Sequence, residues 1–157
     1  MDLSRDRVIS GIVSRLKSAK EGAVKVEGTW GSFARLLATH ISEKLERPIL
    51  YICPHIDDAD KAADDLTTFS NQRIEPFAAW EGEEDLADAT DEIRAERLKL
   101  VSHISSFEPR FLIPTSIQAL CQPIPNPQVL RESCLRITTA DKSMNILLRT
   151  RIGIGFL

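Results

Sequence analysis

The stretch Gly28-Thr29-Trp30-Gly31-Ser32-Phe33-Ala34-Arg35 comes closest, in residue types and spacing, to a chemical motif. Its two glycines lie between an apolar segment ending at Val26 and a helical pattern beginning at Phe33. Turns of this kind hold phosphate in α/β proteins. Backbone N–H groups and a helix N-terminus point at the anion, and glycine allows close approach. Hydrolysis needs more, a G-x-x-x-x-G-K-[ST] loop whose lysine neutralises the outer phosphates and whose hydroxyl holds Mg²⁺. Counted from Gly28, Phe33 takes the second glycine position, Ala34 the lysine position and Arg35 the magnesium position. A ring fills space that phosphate needs, and no ammonium replaces the lysine. The chain is therefore expected to be non-catalytic and to use neither metal nor cofactor. From spacing alone, the stretch reads equally as an ordinary strand–helix turn or as a vestigial nucleotide pocket.

Other reactive residues are scattered. His40, His55 and His103 have no H-x-x-H context. His40 reads as a core or boundary residue of a helix. His55 follows Pro54 at the end of an apolar run, where α/β sheets bind ligands. Cys53, Cys121 and Cys134 form no CxxC pair, which disfavours a zinc site or disulfide framework and suits a reducing cytoplasm. No G-x-S-x-G elbow is present. Seven of the twelve residues 81–92 are acidic and read as a solvated loop and helix start. Trp30 and Trp80, beside strand ends, are expected to pack. Arg94, Arg97 and Lys99 read as a surface helix face with acidic partners.

The elements that must position these residues alternate between helix and strand. Ile9, Ile12, Val13 and Leu16 mark an amphipathic first helix, and residues 23–26 a short strand. Phe33, Leu36, Leu37, Ile41 and Leu45 mark a second helix, closed at Arg47 by Pro48. Residues 48–53 are continuously apolar, as in a parallel strand buried on both faces. Asp57 and Asp58 open a third helix, with Ala59, Ala62, Ala63, Leu66 and Phe69 inward. Residues 71–78 read as a strand, and a helix from about Glu92 carries Ile93, Leu100 and Ile104. A buried strand over 110–114 leads into a brief helix, capped by Thr115 or Ser116 and ending near Leu120. Pro123, Pro125 and Pro127 mark a boundary. A helical turn at 129–133, a strand at 134–139 and a helix from Lys142 follow. This alternation predicts an α/β fold, a parallel sheet with crossover helices on both faces. The expected divisions are an N-terminal helix over 1–21, an α/β domain over 22–122, and a linker with the start of an incomplete second domain over 123–157. With net charge −3 and no apolar run long enough to span a bilayer, composition points to neither nucleic acid nor a transmembrane helix.

Ordered pieces of the chain resemble the N-terminal, UvrB-like region of the bacterial transcription-repair coupling factor family, Mfd. They are Val26-Glu27-Gly28-Thr29-Trp30-Gly31-Ser32 with Ala34, Leu36 and Leu37, then Arg47-Pro48-Ile49-Leu50 with the Pro54 turn, and residues 59–66. Pro76-Phe77-Ala78-Ala79-Trp80-Glu81, Ala95-Glu96-Arg97-Leu98, residues 111–120 and the Gln122-Pro123-Ile124-Pro125 exit continue the match, which covers about residues 22–140. The resemblance implies a fold like that of helicase domain 1A in P-loop NTPases, with a degenerate phosphate loop. It also implies a role in recruiting excision repair, through UvrA, to RNA polymerase stalled at DNA damage. In that family the UvrA surface lies mainly in the following domain. The polymerase-binding module and the ATP-driven DNA translocase lie further downstream, so the chain is expected to be a fragment or truncated product. The alternative is a small P-loop-like protein that binds nucleotide without hydrolysing it.

Overall fold

The computed structural model describes residues 3–18, 22–80, 87–104, 110–124 and 126–133. A single 3-10 turn, Leu3–Arg5, precedes α1 (Arg7–Ser18). Then come α2 (Phe33–Leu45), β1 (Ile49–Cys53), α3 (Ile56–Phe69), β2 (Arg73–Ile74), α4 (Ala87–His103), β3 (Phe111–Ser116), α5 (Ile117–Cys121) and α6 (Pro127–Ser133). The three strands form one parallel sheet in the order β1-β3-β2. The chain is thus a mixed α/β protein, as its alternating pattern predicts. The expected strand at 134–139 and helix from Lys142 lie outside the described residues.

Helix ends follow local chemistry. Asp6 Oδ1 accepts from the amides of Val8 and Ile9 at 2.8 and 3.0 Å, which satisfies the first turn of α1. α2 stops at Leu45, earlier than Pro48 alone would require. Glu46 adopts a left-handed conformation, φ 53°, and its amide returns to the Ser42 carbonyl. Ser116, the last residue of β3, caps α5 by accepting from the Ala119 amide at 3.1 Å.

Helices cover both faces of the sheet. On one face, Ala38 of α2 and Leu66 of α3 pack on Leu112, with Ile49, Tyr51 and Ile74 around them. Ala59 and Ala62 of α3 close over Cys53. On the other face, Leu100 of α4 and Ala119 of α5 join Phe77, Ala79, Phe111 and Ile113. α1 packs on α2 through Ile9 and Leu37, joined by Leu3.

Four expectations are corrected. β1 is not buried on both faces, because Leu50 and Ile52 are each 50% exposed. The register aligns them with Ile113 and Thr115, and the described apolar residues packed with Ile113 include none from β1. The strand buried throughout is β3, the middle one, which runs to Ser116. Residues 23–26 do not form a strand, since no neighbouring strand among the described residues offers them a ladder. The segment expected over 71–78 shortens to β2 plus one bridge from Phe77 to Thr115. The helix expected from Glu92 begins earlier, at Ala87.

Candidate functional site

The Gly28–Arg35 stretch lies where the sequence puts it, with residues 28–32 before α2 and Phe33, Ala34 and Arg35 in its first turn, but it forms a closed turn rather than a cradle. Gly28 (φ 78°) and Gly31 (φ 54°) take left-handed conformations that glycine adopts without steric penalty. The Phe33 amide donates to the Trp30 carbonyl at 3.1 Å, and the Arg35 and Leu36 amides both donate to the Ser32 carbonyl. These three amides are therefore turned inward. Ser32 stands at the N-cap without a side-chain capping bond.

The Arg35 side chain of the loop is turned back on its own turn. Arg35 folds back, with Nη1 donating to the Gly31 carbonyl at 3.0 Å and Nε 3.8 Å from the Asp65 carboxylate. Counted from Gly28, Arg35 falls at the magnesium position of the G-x-x-x-x-G-K-[ST] pattern, and its positive charge opposes a divalent cation. Ala34 is half-buried and Thr29 half-buried, while Phe33 reaches the surface. Trp30 does not pack. It is 84% exposed, which corrects the expectation for this residue.

Among the described residues no hydrogen bond joins a histidine or cysteine to this loop. His40 is buried in α2, and His55 is the exposed N-cap residue of α3. The side-chain surroundings of His103 and the structure of Cys134 lie outside the described residues. Burial pushes the Tyr51 phenol and the Cys53 thiol up, with the Arg35 charge opposing it in both. Cys53 is therefore held as a neutral thiol beside the Asp58 carbonyl, a poor nucleophile. Among the described residues no group of three His, Cys, Asp or Glu side chains is placed to hold a metal ion.

The best-built polar cluster was not expected. Arg97, read from the sequence as a surface residue, is only 5% exposed. Its Nη1 donates to the Ala78 carbonyl at 2.7 Å, and Nη2 to the carbonyls of Ala119 at 3.0 Å and Gln122 at 3.5 Å. Its Cζ lies 4.0 Å from the Phe77 ring centroid and 4.8 Å from that of Trp80. Arg94 stacks on Trp80 at 5.3 Å. Gln122 and Trp80 exchange two hydrogen bonds, Nε2 to the Trp80 carbonyl at 2.8 Å and the Trp80 amide to Oε1 at 3.1 Å. Burial lowers the Arg97 pKa, yet carbonyl dipoles and ring faces keep the group charged. A signal for this existed. Ile93, Arg97, Leu100 and Ile104 are spaced by four, three and four, so Arg97 falls within the apolar stripe of its helix.

No family model, curated protein or solved structure matches this chain. No helix among the described residues is long and apolar enough to cross a membrane.

Proposed function

We propose that the chain is a non-catalytic, UvrB-like scaffold module of a transcription-repair coupling factor, with a P-loop-type, helicase-1A-like fold. In this reading it works in the cytoplasm to bring excision repair, through UvrA, to RNA polymerase stalled at DNA damage. The observation that carries the reading is the Gly28–Arg35 loop. It keeps the glycine turn before a helix but sets Phe33, Ala34 and a folded-back Arg35 at the three positions that phosphate and Mg²⁺ require. The ordered resemblance over about residues 22–140 supplies the partner. The exposed Trp30 fits a surface that meets protein rather than nucleotide.

The test is association with UvrA, using the chain alone and joined to a following domain of the family it resembles. A saturable complex is expected, and absence of any complex would contradict the proposal. A second reading, nucleotide binding without hydrolysis, rests on the glycine turn before α2, where Ser32 makes no side-chain capping bond. That reading requires ATP or ADP binding by calorimetry that is lost in Gly31→Val.

A further inference from the structure

Two segments far apart in sequence meet at Arg97. One is the extended stretch after β2, from Phe77 to Trp80, and the other is α5 with the residue that ends it, Gln122. Beyond Gln122 the sequence enters Pro123-Ile124-Pro125-Asn126-Pro127, and the next element, α6, packs on α4, the helix that carries Arg97. The exit of the chain is thus tied to one helix at two places.

The chemistry of the tie is specific to arginine. Three carbonyls from two segments converge on one guanidinium, and no carboxylate among the described residues pairs with it. Carbonyls of this kind, one buried and two part-buried but aimed at a single point, need several donors in a fixed planar fork. The Phe77 and Trp80 rings meanwhile take its faces. An ammonium has no such plane and cannot reach all three oxygens while stacking. The Gln122 side chain completes the tie through its paired hydrogen bonds with the Trp80 backbone.

We infer that Arg97 is a positioning residue, a latch that fixes the direction in which the chain leaves the α/β sheet at Gln122. The segment that follows is thereby held in a set orientation on α4. The inference is independent of the function proposed above, because it concerns the path of the chain and not the partner.

Hydrogen exchange followed by mass spectrometry tests it on the full chain. Arg97→Lys keeps the charge and loses the fork, and Gln122→Ala removes the side-chain pair while leaving the backbone carbonyl. In Arg97→Lys, exchange is expected to rise at least tenfold at Trp80 and over residues 119–124, with β3 unchanged. Gln122→Ala keeps all three carbonyls on Arg97 and should raise exchange at Trp80 alone; if Arg97→Lys does not fold, spread of the rise to residues 119–121 in Gln122→Ala would overturn the latch. A uniform rise across all elements would make Arg97 a plain core residue and overturn the latch. No change in either variant would overturn it as well.

Discussion

The Gly28–Arg35 loop and the Arg97 cluster are opposites. The loop has a recognisable motif and almost nothing built around it. A Cβ added at Gly28 or Gly31 meets no atom within 4 Å, and Trp30 projects outward. The Arg97 cluster has no motif, yet it joins α4, α5 and the stretch after β2 through a buried cation and two aromatic rings. A phosphate site needs converging donors held by neighbours, and here the converging donors belong to Arg97 and serve backbone carbonyls. In this chain the sequence motif and the built polar chemistry are in different places.

Substitutions should separate the two regions by size of effect. Arg97→Met leaves the buried Ala119 carbonyl and two part-buried carbonyls without their donor, and about 3 kcal/mol of stability should be lost, since an orphaned buried group costs ~1–3 kcal/mol. By thermal denaturation that is a fall of roughly 6–12 °C. If the variant melts like the parent, the cluster is incidental. The sheet offers a matched pair of tests. Leu112→Ala, at a fully buried position, should cost about 3 kcal/mol in urea unfolding. Leu50→Ala, half-exposed on β1, should cost under about 1 kcal/mol. Equal losses would mean that β1 is covered as fully as β3.

Effects in the loop should be smaller. Gly31→Val places a β-branched residue at φ 54°, which should cost about 1–2 kcal/mol through backbone strain alone. Gly31→Asn tolerates that conformation and should lose less. Similar losses for both, measured by chemical denaturation, would point to packing instead of strain. Trp30→Ala should shift stability by no more than about 0.5 kcal/mol, because the ring is 84% exposed. A larger loss would place the ring in a contact.

Much of this fold is legible in the residues. The stripe of Ile9, Ile12, Val13 and Leu16 foretells α1, and the Asp57-Asp58 start foretells α3. Ser116 takes the capping role its position suggests. What is not legible depends on neighbours. Ile49–Cys53 and Phe111–Ser116 are both apolar runs, and only sheet order makes the first an edge with two exposed residues and the second the buried middle. Alternation over residues 23–26 favours a strand, but a strand needs a partner, and none of the described strands pairs with it. Trp30 and Trp80 have similar sequence surroundings, yet one faces solvent and the other lies beneath two arginines. Arg97 carried the signal of its spacing, but charge type argued the opposite way and outweighed it.

The central claim, that the glycine loop no longer handles nucleotide, is tested most directly by calorimetry of the chain with millimolar MgATP and MgADP. No saturable heat is expected, because Phe33, Ala34 and Arg35 stand where the G-x-x-x-x-G-K-[ST] pattern has glycine, lysine and a hydroxyl. A saturable isotherm that disappears in Gly31→Val would contradict the account.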